Sequence, residues 1–253
     1  MTYELFYKNG LILYYFQDFF KPLSESGDDI GFRFLFWFGC ALIGYLLGSL
    51  NFGVLLSKLK GKDVRDSGSG NAGTTNVIRV FGKKAGVFTF IGDFLKTIIA
   101  CYLAMAIWGV HGAYIAGLFA IIGHAFPIYF KFKGGKGVVC ITAVGLVTSP
   151  TPIPWVLLIC IVVFVVLLLC FKMVSFASIM CMVVYPFILN TFVNFSNTST
   201  TESGGGVYML YAVLMAGLVI FLHRKNLVRI FNHEESKIKL GKKKNENDTD
   251  TKK

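Results

Sequence analysis

The sequence predicts an all-α membrane protein, a polytopic bundle of about seven transmembrane helices, and three observations lead there. Hydrophobic residues fill 55% of the 253 positions and charged residues only 15%. Mean hydropathy is +0.63, too apolar for a soluble domain of this length. Lys and Arg fall in clusters that alternate with neutral turns: seven lie in 58–84, three in 131–136, one at 172 and ten from 224 onward, with none near 110, 151 or 200. Basic loops stay on the cytoplasmic side, so this alternation predicts an N-terminus outside and a C-terminus in the cytoplasm. The net charge of +11 then belongs to an anionic membrane face, and no nucleic-acid partner is expected.

Taken in order, residues 1–33 form an N-terminal extension: Tyr3–Phe20 is aromatic but interrupted by Lys8, Gly10 and Asp18. It reads as an interfacial helix or, alternatively, a short extra span. The membrane domain runs over 34–240, opening with a span at Phe34–Leu59 whose second half carries Gly48, Ser49, Asn51 and Gly53. Small residues of this kind permit close helix approach. Further spans follow at Ala85–Gly109, His111–Phe130, Val138–Pro150 (short, ended by TPIP), Trp155–Phe171, Met173–Phe195 and Val207–Leu222. A charged tail, 241–253, reads as disordered. The six cysteines lie in apolar runs without a CxxC pair, and the four histidines are scattered. No metal or other cofactor is expected.

Between the first two spans lies DSGSGNAGTTNVIR, Asp66–Arg79. Its Gly68, Gly70 and Gly73 allow positive φ, so that successive N–H groups can converge on one point. Ser69, Asn71, Thr75 and Asn76 add hydroxyl and amide groups, and Arg79 ends the run with a planar fork suited to phosphate or carboxylate. No acidic residue lies between Ser67 and Arg79, so the loop is read as an anion site. A second basic turn, KFKGGKGV at 131–138, sets Gly134, Gly135 and Gly137 around Lys136 ahead of an apolar segment. Backbone amides at a helix start, together with a lysine, make a second anion cradle; the spacing is not that of a Walker motif. His223 and Asn226 stand three apart where the last span meets the membrane surface, and Ser175 and Ser178 have helical spacing. Asp93 and Lys96 share one helix face inside a span, either as a structural pair near the surface or as support behind the site. The predicted topology brings both glycine turns and the His223–Asn226 corner to one cytoplasmic face.

Two function classes fit that convergence. An enzyme would build one site for a phosphorylated substrate at the surface and use the bundle as a groove for an acyl chain. A membrane transporter of a phosphorylated or other anionic small molecule would use the same residues as a gate. A transporter of this kind carries a midplane site from broken helices and related halves, and no internal repeat is present in the sequence. A passive lipid-binding scaffold would have no need of Arg79, Lys136 and His223 together.

The motifs GSLNFGVLLSKLKGKDVRDSGSGNAGTTNVIRVFGKKAG (48–86), GDFLKT (92–97), GHAFPIYFKFKGGKGV (123–138), VSFASI (174–179) and HRKN…EESK (223–237) resemble, in order, those of the bacterial integral-membrane acyl-phosphate:glycerol-3-phosphate acyltransferases. The likeness spans about residues 40–240, with departures at Asn51, Ala72, Thr74, Thr97 and Cys140. It implies a multi-pass cell-membrane enzyme of phospholipid biosynthesis. The implied reaction moves a fatty acyl group from acyl phosphate to the 1-hydroxyl of sn-glycerol 3-phosphate, giving lysophosphatidic acid and phosphate without cofactor or obligatory protein partner. The resemblance also places Ser69, Arg79, Lys136, His223 and Asn226 in the phosphate-binding catalytic pocket, and Glu235 lies in the matching EESK run. The acyl donor is already activated, so positioning with a proton passed to His223 or to phosphate is one mechanism; a Ser69 acyl-enzyme with a base beside it is the other.

Overall fold

The computed structural model describes residues 29–149, 154–196 and 205–238. The N-terminal segment 1–28, residues 150–153 (most of the TPIP break), the loop at 197–204 and the tail from 239 lie outside the described residues. Every regular element among the described residues is helical. By length and composition, Phe34–Leu59, Lys83–Phe130 and Val174–Asn194 can cross a bilayer, and Gly206–Leu222 with Arg224–Phe231, bent by 58°, makes a fourth if counted together.

Helix α1 (Asp29–Gly48) begins five residues before the expected Phe34. Its Gly44 and Gly48 lie on the backbone of Ala116 and Ala120, where an added Cβ would stand 2.2 and 2.4 Å from the alanine carbonyl oxygens. Small residues spaced by four let two helices touch backbone to backbone, the usual contact where lipid supplies no hydrophobic drive. The expected span over 34–59 is present, but it is not one unbroken helix. The helix breaks at Ser49–Asn51, and α2 (Phe52–Leu59) restarts with Asn51 as N-cap, its Oδ1 accepting from Val54 N at 3.1 Å. Asn51 Nδ2 donates to His124 O at 3.3 Å, Lys96 Nζ donates to Leu50 O at 2.8 Å, and Phe52 N donates to Asp93 Oδ1 at 3.3 Å. Backbone groups freed inside a membrane must find protein partners; here the side chains of Lys96 and Asp93 supply them.

After a 3₁₀ turn (Val64–Asp66) and the short α3 (Thr74–Phe81) comes α4 (Lys83–Ala125). Its backbone leaves helical geometry at Trp108 and at Gly109, whose φ of 53° favours glycine. Beyond that point the chain runs back along itself. Gly112 sits on Ala104, where a Cβ would be 2.2 Å from the carbonyl oxygen, and His124 Nδ1 lies 3.1 Å from Lys96 Nζ. α4 is therefore two antiparallel arms, divided where the sequence separates Ala85–Gly109 from His111–Phe130.

The chain continues as α5 (Val138–Val147), α6 (Trp155–Phe171), α7 (Val174–Ser196), α8 (Gly205–Leu222) and α9 (Arg224–Phe231). Tyr114, Ile121, Ile141, Val144, Met182 and Met215 fill the core between α4, α5, α7 and α8. Phe88, Ile91, Leu95, Val162, Leu169 and Phe187 point outward, as the lipid-facing side of a bundle requires. Past α9 the chain doubles back as a strap, Asn232–Ile238, with Ile238 N donating to Lys172 O at 2.7 Å.

Candidate active site

One cavity of about 450 Å³ opens where α3, the turn before α5, the start of α7, the α8–α9 corner and the strap meet. Ser69, Asn71, Thr75, Asn76, Arg79, Lys136, Gly137, Ser175, His223, Asn226, Glu235 and Asp93 line it, drawn together from across the chain. Phe90, Phe94, Leu157, Ile161, Phe164 and Met182 line the rest. Along α7 the lining passes from Ser175 and Ser178 to Cys181 and Met182 in single turns, so the cavity grades from polar to apolar along that helix.

The first glycine turn has positive φ at Gly68 (64°) and Gly70 (71°), but the Ser69 and Gly70 amides are taken up inside the loop. Asn76, buried in the loop, organises them instead. Its Oδ1 accepts from Ser69 N at 2.8 Å, and its Nδ2 lies 2.9–3.0 Å from the carbonyl oxygens of Val64, Ser67 and Asn71. Gly70 N donates to Ser67 O. Asn76 is thus the knot of the loop, where the sequence made it a substrate ligand, and Gly68 and Gly70 lie outside the cavity lining. What the loop does present is the start of α3: Gly73 caps it without a side-chain bond, and Thr74 Oγ1 is buried without a hydrogen-bond partner. Unpaired N–H groups at a helix start favour an anion. Arg79, in the last turn of α3, donates from Nη2 to Ser236 Oγ at 3.1 Å.

The second turn uses its glycines differently. Gly134 N donates to Ala125 O and Gly135 N to His124 O, both at 3.0 Å. A Cβ on Gly134 would stand 2.0 Å from His124 O, and one on Gly135 2.0 Å from His124 Nε2. These two glycines therefore serve close approach to the end of α4; the expectation that their amides cradle substrate is corrected. Only Gly137, at φ 79°, combines positive φ with a place in the lining.

The turn carries Lys136 into the cavity, its Nζ donating to Asn226 Oδ1 at 2.5 Å. Burial pulls the Lys136 ammonium down to about 8, with the Glu235 carboxylate opposing and Arg229 adding to that shift. Asn226 Nδ2 and Ser175 Oγ both donate to Glu235 Oε1 at 2.8 Å, and Arg229 Nε lies 3.5 Å from Glu235 Oε2. His223 Nδ1 is 2.8 Å from Val219 O. A carbonyl only accepts, so Nδ1 carries the proton and Nε2 keeps its lone pair.

Behind the wall, Lys96 Nζ lies 2.7 Å from Asp93 Oδ1. The pair is made, and each partner also binds the α1–α2 break; Asp93 reaches the cavity whereas Lys96 does not. The sequence did not single out His124, Ser236 or Arg65. Arg65 grips Asp63 through Nε at 2.9 Å and Nη2 at 2.6 Å, while Nη1 donates to Phe130 O and Lys133 O at 2.8 Å. It ties the first turn to the second, and its hydrogen bond holds the Asp63 carboxyl below the usual carboxylate range. No local signal marks it, since Arg65 reads as one more basic loop residue.

The glycerol-3-phosphate acyltransferase family model matches residues 38–233. A glycerol-3-phosphate acyltransferase of Alkaliphilus metalliredigens is 35% identical over 195 residues, covering 77% of this chain and 92% of that protein. One from Aquifex aeolicus is 39% identical over 197 residues, with 77% and 95% covered. Among solved structures, PlsY (YgiH), an integral membrane glycerol 3-phosphate acyltransferase, matches in its glycerol 3-phosphate form with a TM-score of 0.69 and 35% identity, over 80% of this chain and 96% of that one. Its lysophosphatidic acid form matches with a TM-score of 0.68. The ordered motifs, the helical membrane fold and these matches lead to one conclusion: the chain belongs to the glycerol-3-phosphate acyltransferase family.

Proposed function

We propose that the protein transfers a fatty acyl group from acyl phosphate to the 1-hydroxyl of sn-glycerol 3-phosphate, at the cytoplasmic face of a seven-span bundle. The observation that carries this reading is one cavity holding Arg79, Lys136, His223 and Asn226 together with an apolar arm between α4, α6 and α7. Two anions that must approach each other need fixed positive charge and oriented donors, which this end supplies. The relatives are named for glycerol 3-phosphate, and the PlsY forms are named for the substrate and product of the same step.

In the reaction the 1-hydroxyl oxygen attacks the carbonyl carbon of the mixed anhydride. The bond from that carbon to the phosphate oxygen breaks, and phosphate leaves with the electron pair. The hydroxyl proton goes to His223 Nε2 or directly to a phosphate oxygen. Among the described residues no base is hydrogen-bonded to Ser69 Oγ, which favours direct transfer over an acyl-enzyme. Lys136, held by Asn226, serves as a point charge, and Arg79 as a fork.

The test is turnover by detergent-purified protein with palmitoyl phosphate and glycerol 3-phosphate, with palmitoyl-CoA as the parallel donor. Turnover with the phosphate donor alone, and without a membrane gradient, is expected. Use of palmitoyl-CoA in its place would overturn the donor assignment, and activity seen only as solute movement across sealed vesicles would favour transport. Orientation is tested by cysteines at Ser26, expected to label from outside intact cells, and Lys244, expected to label only after permeabilisation.

A further inference from the structure

Glu235 is a carboxylate in a cavity read as a meeting place for two anions. Its side chain is 7% exposed. Oε1 is occupied by Asn226 Nδ2 and Ser175 Oγ, whereas Oε2 is buried and accepts no hydrogen bond, its ion pair with Arg229 Nε being long at 3.5 Å. A buried carboxylate oxygen left without a donor costs free energy. This one is nevertheless held in place. Glu234 N donates to Arg229 O at 2.8 Å and Ile238 N to Lys172 O at 2.7 Å, pinning the strap on both sides of Glu235. Ser236 meets Arg79 from the next position.

We infer that Glu235 Oε2 accepts a hydrogen bond from the 2-hydroxyl of the glycerol backbone, making Glu235 a specificity-determining residue for the acceptor. This rests on the acyl-transfer reading above. A carboxylate accepts and never donates, so it repels phosphate and ester oxygens and selects a group carrying a proton. Glycerol 3-phosphate has two such groups. His223 Nε2, with its lone pair exposed by the Nδ1 bond to Val219, suits the attacking 1-hydroxyl, which must lose its proton. The 2-hydroxyl, which keeps its proton, remains for Glu235. Lys136 and Glu235 both reach Asn226, so one amide sets the spacing between a phosphate-binding cation and a hydroxyl-binding anion.

The experiment measures kcat/KM with palmitoyl phosphate as donor and three acceptors: glycerol 3-phosphate, propane-1,3-diol monophosphate, which lacks the 2-hydroxyl, and dihydroxyacetone phosphate, whose 2-ketone only accepts. The wild type should favour glycerol 3-phosphate by roughly tenfold to a hundredfold over either analogue, the worth of one hydrogen bond to a charged group. In Glu235→Gln, the donors Asn226 and Ser175 hold the amide oxygen at the Oε1 position and leave the NH₂ where Oε2 was. The ratio of ketone to glycerol 3-phosphate should then rise by about tenfold, because an amide donates to a ketone and a carboxylate cannot. An equal loss for all three acceptors would reduce Glu235 to a pin for the strap and overturn the inference. Wild-type protein that uses the propanediol phosphate as well as glycerol 3-phosphate would overturn it without any variant. Failure of the wild type on glycerol 3-phosphate itself would instead bring down the acyl-transfer reading.

Discussion

The two glycine-rich turns beside the cavity look alike in sequence and are built on opposite principles. In Asp66–Arg79, Gly68 and Gly70 are there for positive φ, and a side chain, Asn76, ties the loop from within. In 131–138, Gly134 and Gly135 are there for the absence of a Cβ, and the end of α4 holds them from outside. The first turn ends in a fork on a helix, Arg79; the second in a lysine steered by Asn226. A cluster of glycines therefore says that backbone comes close or turns sharply, and leaves open what the amides bind.

The sharpest contrast is fork against point charge. Arg79→Lys keeps the charge and loses the fork, so kcat/KM should fall by roughly tenfold to a thousandfold; near wild-type kinetics in a membrane-inserted variant would make Arg79 an interfacial anchor. Removing the internal knot comes next. Asn76→Ala strips the bond from Ser69 N and leaves buried carbonyls unpaired, so it should cost about 2–3 kcal/mol, read as a lower Tm in detergent together with lost activity. Gly135→Ala tests the outer support. Its Cβ meets the His124 ring, an overpacking worth about 1–3 kcal/mol, and because Lys136 is the next residue, KM for glycerol 3-phosphate should rise more than kcat falls. Should His124→Ala fail to relieve any part of that defect in the double variant, the clash is not its cause.

A smaller effect separates the two uses of glycine. Gly70 has φ 71° and only Arg65 O near a would-be Cβ, at 3.4 Å. Asn tolerates that backbone region, so Gly70→Asn should lie within about 1 kcal/mol of wild type, whereas Gly135→Asn should not; equal tolerance at both positions would erase the distinction. The mildest test is pH. Lys136 is charged below about 8 and loses its proton above it in the free enzyme. The profile of kcat/KM for glycerol 3-phosphate should therefore descend as pH rises through that value, and Lys136→Arg should move the descending limb upward, out of the range. A profile unchanged by that substitution would assign the limb to another group.

Much of this protein was legible in its residues because the relevant signals are local. Apolar runs, the alternation of basic and neutral loops, and hydroxyl, amide and cationic groups near glycines describe helices and a polar face without any knowledge of contacts. The division of α4 at Trp108–Gly109 fell where two apolar runs meet. The break at Ser49–Asn51 was not legible, for no proline marks it; it exists because Lys96 and Asp93, more than forty positions along the chain, bond to the backbone there. The same holds for the wiring of the site. Arg79 and Ser236 are 157 positions apart and Lys136 and Asn226 are 90 apart. That Ser69, Arg79, Lys136, His223 and Asn226 belong near one another was legible in the sequence, whereas His124 and Ser236, which line the same cavity, were not. Which of them point inward, which are already satisfied, and that one Glu235 oxygen accepts no hydrogen bond and has only a long ion pair with Arg229 were decided only by tertiary structure. Hydrogen bonds act over about 3 Å, and only packing brings distant positions that close.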